Sequence, residues 1–413
     1  MRKKSLFGIS ILIFLTLIIS ACNFVSIQSD ATSQPADLNL SEQDQAEQSS
    51  NLEGSNETIS YKLPKLILVN TGDEYGLTLY NLQGQPITEL KTPGIGYTSS
   101  SKVHIAGPVP EGPIMTPLVY HSFENPESLL VNINDSISLL VNTPMFYGMA
   151  GAPGEPFIAY SVYEPISESV RSDLYIGNLE TLPTNGPIYS LDNNTDYYVI
   201  NPLGITTESG TATKIWYTFA AWGIGGDIIY PVNQSLYSFD MTNGNTIQHL
   251  DKNCSVQGLS QDFTWAACRT SDSNGTQGYF IQNLENGISV SFSLDPSSSR
   301  GAGFGVFSPD NTYVAWLEAS GSHMAEVPDY HSRIRIGLTS GGIIYDQADT
   351  AIATVLGVGS IPYMKPVGWL DTQTLLAEVS LDDYGNTALI TINLSSGSIN
   401  KIIDGSFIAF AYP

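Results

Sequence analysis

Residues 306–318 read VFSPDNTYVAWLE, a tight Ser-Pro-Asp-Asn turn running straight into five consecutive strand formers. A long polar loop follows, then IRIGLTSGGIIYD (334–346), which is a strand, a Ser-Gly-Gly turn and a second strand. The stretch decides the fold because the same order returns along the chain. Its clearest mark is the second hairpin: LTLYNLQGQPITEL (77–90), LLVNINDSISLLV (129–141), LYIGNLETLPTNGPIYSL (174–191), LYSFDMTNGNTIQHL (236–250), YFIQNLENGISVSF (279–292), IRIGLTSGGIIYD (334–346) and ALITINLSSGSINKII (388–403). These hairpins start about 43 to 62 residues apart, a period that signals a propeller array.

Each hairpin has an upstream strand: LILV (66–69), PLVY (117–120), FIAY (157–160), IWYTF (215–219), FTWAA (263–267), VAWL (314–317) and LLAEV (375–379). They are near-continuous apolar runs rather than alternations. Such strands are buried on both faces, as when neighbouring blades pack on either side. Composition agrees: 14% charged residues, 37 Gly, 23 Pro and 22 Tyr suit many strands and turns, and no long segment beyond residue 20 carries a helical apolar period. The fold class is all-β, a propeller of seven blades with four antiparallel strands each. Six or eight blades require one miscounted repeat; the competing architecture is a two-domain β-sandwich.

FSPDNTYVAW resembles the repeats of TolB-like and WD40-like propellers and of the propeller domains in prolyl-oligopeptidase-type peptidases. In those repeats Ser-Pro-Asp-Gly links the innermost strand to the second, and an Asp/Asn-x-x-x-Gly turn joins the outer pair. Ser308, Pro309 and Asp310 match, while Asn311 stands where Gly is usual; Asn tolerates positive φ. The full signature is legible in the sixth repeat alone. The chain ends GSFIAFAYP (405–413), a strand with no outer strands after it, while YKLPKLILVN leaves the first repeat short of an inner strand. The C-terminal strand is therefore expected to close the ring.

Arg2, Lys3 and Lys4 precede an apolar run from Leu6 to Ile19, followed by Ser20-Ala21-Cys22. This reads as a secretory signal over residues 1–21, too short for a spanning helix. Ile19 to Cys22 also resembles the lipobox of bacterial lipoproteins, which implies export, acylation of Cys22 and a membrane lipid anchor; the other reading is a plain signal peptide or signal anchor. Residues 22–60 are expected to form a lipid-anchored flexible linker, since 23–60 hold no Lys or Arg and are rich in Ser, Gln, Asn, Asp and Glu. The propeller spans 61–413. Cys254 and Cys268 flank an inner strand, a turn near Leu259 to Asp262 and a second strand, an arrangement suited either to a disulfide or to two buried thiols.

Chemistry is sparser. Gly-x-Ser-x-Gly, a Walker loop, HExxH and EF-hand spacing are all absent. Ser260-Gln261-Asp262 with Thr264-Trp265 is similar in outline to the Asp-box of sialidases but lacks its Gly and its spacing, and is set aside. A net charge of −24 with 16 basic residues argues against nucleic acid or anionic lipid as partner. No cofactor is implied. The loop EASGSHMAEVPDYHSR (318–333) gathers His323, Glu326, Asp329 and His331, types that suit zinc or equally a solvated or partner-contacting loop.

The loops between second and third strands emerge on the face that usually carries propeller binding sites. The candidate face comprises Asp73, Glu74, Tyr75, His121, Tyr163, Glu164, Trp222, Tyr230, Tyr330, His331, Asp382, Asp383 and Tyr384, an acidic and aromatic set. Two functions follow: a non-catalytic, surface-anchored binding or scaffold module for an envelope protein, peptide or glycan, or a glycan-processing hydrolase or lyase with paired carboxylates at the channel.

Overall fold

The computed structural model describes residues 61–71, 76–91, 103–105, 118–121, 128–133, 136–142, 145–166, 169–178, 186–194, 198–221, 228–271, 277–322, 324, 329–382 and 385–413, with the side chains of 91–144, 146, 193, 194 and 271 excepted. The signal, lipobox and linker readings lie outside these residues.

Seven four-stranded antiparallel sheets follow one another along the chain. Blade one holds β1 (Leu66–Asn70), β2 (Gly76–Asn81) and β3 (Pro86–Lys91); blade two holds β4 (Val103–Ile105), β5 (Leu118–His121), β6 (Ser128–Ile133) and β7 (Ser136–Asn142). Blade three is β8 (Phe146–Gly151), β9 (Phe157–Ile166), β10 (Ser169–Asn178) and β11 (Tyr189–Asn194); blade four is β12 (Tyr198–Glu208), β13 (Thr211–Ala221), β14 (Asn233–Asp240) and β15 (Thr246–Leu250). Blade five is β16 (Ser255–Leu259), β17 (Trp265–Ser271), β18 (Gln277–Asn283) and β19 (Ser289–Phe292); blade six is β20 (Gly301–Phe307), β21 (Tyr313–Ser320), β22 (His331–Leu338) and β23 (Ile343–Ala348). Helix α1 (Asp349–Leu356), the one helix among the described residues, leads to blade seven, which is β24 (Met364–Trp369), β25 (Thr374–Ser380), β26 (Thr387–Asn393) and β27 (Ile399–Asp404). The last strand, β28 (Ser406–Ala411), pairs with β1. The seven upstream apolar runs map onto the second strands, with Phe263 and Thr264 of the fifth left in the preceding turn and Pro117 of the second outside the described residues, and all seven hairpins map onto the outer pairs.

The second strands are buried where the sequence is apolar. In β21 Val314 to Ala319 are all buried, as are Leu375 to Ser380 in β25. Ala315, Leu317, Ile334 and Ile336 of blade six pack on Met364, Leu375, Ala377 and Ile390 of blade seven. On the other face Val314 and Trp316 pack on Ala267, Tyr279 and Ile281 of blade five. Each fully buried aliphatic side chain of this kind contributes about 1.5–3 kcal/mol.

The turn of the sixth repeat is built by its side chains. Ser308 Oγ donates to Asp310 Oδ1 (2.7 Å), the Tyr313 amide donates to Ser308 Oγ (2.9 Å), and Thr312 Oγ1 donates to Asp310 Oδ2 (2.8 Å). Asn311 takes φ 56°. Blade five repeats this turn in residues set aside above: Ser260 Oγ donates to Asp262 Oδ1 (2.6 Å), the Trp265 amide to Ser260 Oγ (2.8 Å), Thr264 Oγ1 to Asp262 Oδ1 (2.8 Å), and Phe263 takes φ 59°. The signature is therefore not confined to the sixth repeat. Phe263 holds its strained conformation by stacking on Trp216 of blade four at 5.2 Å. Asn311 Nδ2 donates to Asp262 Oδ2 (2.7 Å), so the departure from Gly ties one blade's turn to the next.

The inner strands share a feature that no single repeat advertises. Register shifts fall at Phe146/Gly148, Pro202/Gly204, Val256/Gly258, Gly303/Val306 and Pro366/Gly368. Each is a β-bulge beside a glycine. A Cβ on Gly204 would lie 2.5 Å from Phe263 Cζ, one on Gly258 1.8 Å from Gly305 O, and one on Gly368 2.3 Å from Phe410 Cε2. Each close approach joins one blade to its successor, so these positions need Gly to let the inner strands converge.

Closure rests on backbone pairing from Leu66↔Ala411 to Asn70↔Ser406. The Glu378 carboxylate, buried in blade seven, accepts the Phe407 amide (2.7 Å) and an ion pair from Lys365 Nζ (3.3 Å). Cys254 and Cys268 form a disulfide with Cα atoms 5.1 Å apart. Cys268 pairs in the ladder with Val256, so the bond reaches from a residue just ahead of β16 rather than from an opposed strand position.

Candidate functional site

In a sheet of four sequential antiparallel strands, the turns joining first to second and third to fourth strands share one face. The loops joining second to third strands, and each blade to the next, share the other. On this second face a groove of about 1120 Å³ runs between blades six and seven.

Helix α1 forms one wall. Asp349 lies in its first turn, where a carboxylate complements the helix dipole, and Gly357 ends it at φ 70° while the Val358 amide reaches back to Ala353 O (3.1 Å). Ile352 and Ala353 bury its inner side in the core shared by blades six and seven. The eight-residue helix was not legible as a period, because it presents only two turns.

Asp349 organises the wall. Its Oδ2 accepts the Ser332 amide (3.0 Å) and lies 3.2 Å from His331 Nδ1, while Oδ1 accepts the Thr350 amide (2.6 Å). The carboxylate is 7% exposed and the imidazole 66% exposed, so a buried acid orients a histidine whose outer edge faces solvent. Across the groove Asp382 follows β25 and accepts the Asn386 amide (3.1 Å). Tyr330, Tyr363 and Ile361 line the floor. Burial, then the nearby Glu378 charge, then Tyr330 push the Tyr363 hydroxyl well above the usual tyrosine range, so it stays a neutral donor. Among the described lining residues there are two aspartates and no Lys or Arg.

The structure thus brings Tyr330, His331 and Asp382 of the candidate face together. It corrects others. Tyr330 is buried in the core cluster of blades six and seven and presents little surface. Tyr230 is buried too: its hydroxyl donates to Gly301 O (2.9 Å), its ring packs beside Phe304, and the Arg269 guanidinium sits 5.2 Å over it. It is a wedge at the inner strand of blade six, not an exposed platform. Burial raises its hydroxyl pKa, and burial lowers that of Arg269. Tyr163 and Glu164, read as loop residues, belong to β9, where the long β9–β10 hairpin pairs them with Ser172 and Arg171. Tyr163 is half-buried against Tyr147, and Glu164 is exposed.

Asp73, Glu74, Tyr75, Trp222, Asp383, Tyr384, His323 and Glu326 lie outside the described residues, as does the side chain of His121. Asp329 is exposed, and among the described residues no group of three or more metal-binding side chains assembles around it or His331. Sequence reasoning missed Asp349 and the α1 wall; a lone Asp preceding an Ala-rich run was the available signal.

Neither known protein families nor curated proteins return a match to the chain. Among solved structures, prolyl endopeptidases analysed for inter-domain dynamics are 10% identical, with 82% of this chain and 50% of theirs covered and a TM-score of 0.52. TolB from Acinetobacter baumannii is 17% identical over 70% of this chain and 63% of that one, TM-score 0.39. The β-propeller domain of the Trilobed protease from Pyrococcus furiosus is 11% identical over 62% and 71%, TM-score 0.38. The chain spans half the length of the endopeptidases, and the likeness to them is one of propeller fold.

Proposed function

We propose that this chain is a lipid-anchored, extracytoplasmic propeller that acts as a non-catalytic binding or scaffold module, its ligand an envelope protein, peptide or glycan held on the loop face. The observation that carries the reading is the groove between blades six and seven, with the exposed His331 edge on one wall and Asp382 on the other. Its polar groups sit on rigid elements: α1 is locked into the core, and the buried Asp349 carboxylate fixes the imidazole by a half-buried hydrogen bond. Sites built on such supports present a set geometry without reorganisation. The Ile19 to Cys22 pattern supports the anchor.

The hydrolase or lyase reading requires a buried carboxylate pair at the channel. No such pair lines the channel among the described residues, and no observation favours that reading.

The test uses the full chain in detergent as bait for envelope extract. His331→Ala and Asp382→Ala should each weaken capture of the same partner while the melting temperature holds; Asn243→Ala, in an exposed turn on the opposite face, should not. Tyr330 is unsuitable as a probe because truncating it opens the core. Equal capture by all variants would exclude the groove. Cys22→Ser should move the protein from the detergent phase to the aqueous phase or leave it uncleaved; acylation that survives the substitution would exclude the anchor.

A further inference from the structure

The bulged inner strands enclose a second space, a chamber of about 500 Å³ in the channel that shares no lining residue with the groove. That volume lies within the range of about 300–1,000 Å³ in which small ligands are held. Its wall combines flat apolar rings, Phe263, Phe410 and Tyr412, with the side-chain amide of Asn201 and the amide oxygen of Asn233, whose Nδ2 donates to Val256 O (3.0 Å). Bulged residues Leu203, Gln257 and Val367 also line it, and a bulge leaves its extra residue outside the ladder, with main-chain groups open to another partner.

The chamber differs in charge from the rest of the molecule. The chain carries 40 acidic residues and a net charge of −24, yet the described lining contains no Asp, Glu, Arg or His. The one cation among its described lining residues, Lys62, is held at the rim: Nζ donates to Pro153 O (2.9 Å) and Glu155 Oε1 (3.0 Å). The Lys62 backbone and the Gln261 amide exchange two hydrogen bonds, N–H to Oε1 (2.9 Å) and Nε2–H to O (3.0 Å). The chain therefore crosses the mouth as it enters the ring, and narrows it to small ligands.

We propose that the chamber is a binding site for a neutral saccharide of one or two rings. A pyranose carries an apolar C–H face, which matches the aromatic rings, and a rim of hydroxyls that both donate and accept, which matches amides and open main-chain groups. The described wall offers an ion no counter-charge beyond Lys62, which Glu155 already holds, so lost hydration goes uncompensated and charged ligands are rejected. The site lies on the face opposite the groove and stands whether or not the groove binds a partner.

The test is calorimetric titration of the full chain, in a detergent without a sugar headgroup, with glucose, galactose, N-acetylglucosamine and their disaccharides. At least one should bind saturably, with Kd in the millimolar range or tighter. Asn201→Ala should weaken that binding about tenfold, and Val367→Phe, which fills the chamber, should abolish it; His331→Ala should leave it unchanged. Glucuronate and glucosamine should bind the unaltered protein at least about tenfold more weakly than their neutral counterparts. Failure of every neutral sugar to bind, equal binding of the charged ones, or binding that survives both chamber substitutions overturns the proposal.

Discussion

Blade six is one continuous stretch from Gly301 to Ala348, whereas blade one takes three strands from residues 66–91 and its innermost strand from Ser406–Ala411. The two sheets have the same four-stranded order and differ in how they are secured. Blade six is held by its own strands and the segment that leads directly into it. Its buried Glu318 accepts the Asp295 amide (2.8 Å), Ser298 Oγ (2.9 Å), Trp316 Nε1 (3.0 Å) and Arg335 Nη1 (2.8 Å). Blade one depends on partners outside itself: the β28 ladder, and the Glu378 carboxylate of blade seven on the Phe407 amide. A blade assembled locally can carry its own polar network. One assembled from both chain ends must bear the entropy of closing the longest loop in the molecule, and it is stabilised only once its neighbours are in place.

Loss of the closing strand has the largest expected effect on blade one. Deleting residues 405–413 strips β28 from β1 and exposes Leu66, Leu68 and Leu79, which pack on Ile408 and Ala411. The truncated chain should be insoluble or melt lower by roughly 10 °C or more, because several side chains worth about 1.5–3 kcal/mol each lose their burial. Melting within a few degrees of the parent would show that blade one does not need its fourth strand.

Within blade six the expected effect is smaller and local. Glu318→Gln removes the buried counter-charge of the Arg335 guanidinium, 11% exposed, and leaves it the half-exposed Asp346 at 3.3 Å. Breaking a buried pair outright costs about 3–5 kcal/mol, and the surviving Asp346 contact puts this loss at the low end of that range. Urea unfolding should show that loss; a change below about 1 kcal/mol would mean that the network is not what holds the blade.

Blade five has a covalent device that neither of the others has. Replacing Cys254 and Cys268 by Ser should cost about 3 kcal/mol in the chain-entropy account of a loop this short. Free-thiol counting on the parent under denaturing, non-reducing conditions should find neither residue reactive, and two titratable thiols would remove the staple.

The link between blades five and six sharpens the contrast further. Asn311→Gly relieves the φ of 56° but loses the bond to Asp262, so stability should change by no more than about 1 kcal/mol. Asn311→Ala loses the bond and keeps the left-handed conformation, and should cost about 1–2 kcal/mol more. Equal stability of the two variants would show that the backbone angle is not the constraint.

Acid should act on the same turn. Burial raises the Asp310 pKa, but hydrogen bonds from Ser308 and Thr312 outweigh it and hold the carboxyl below its usual range; in Asp295 the bonds from Ser297 and the charge of Arg333 have the same net effect. A lowered folded-state pKa contributes stability above the ordinary carboxylate range, about pH 4, that is lost as pH falls through the folded value. Melting temperature should therefore decline below about pH 4, and Asp310→Asn should flatten part of that decline. An unchanged profile would show that the turn's carboxylate makes no pH-dependent contribution.

What the sequence determined by itself was the repeat. Apolar runs and turn residues act over a few positions, so the second strands, the outer hairpins and the C-terminal closing strand were legible before any tertiary contact was known, whereas Cys254 and Cys268 suited a disulfide or two buried thiols until their separation was fixed. Only the tertiary structure decided which surfaces those strands expose. Tyr230 and Tyr330 look like display residues in a polar loop, yet neighbouring blades bury them. Ser260 to Trp265 resembled nothing useful until its hydrogen bonds matched those of Ser308 to Tyr313, because Phe263 holds a glycine-like angle that stacking on Trp216 of another blade stabilises. The glycines of the inner strands carry no local signal of their purpose either, since what each accommodates is an atom of a different blade. The groove and the chamber are products of that convergence. Propensity is a property of adjacent residues, while a site is formed by residues that only packing brings together.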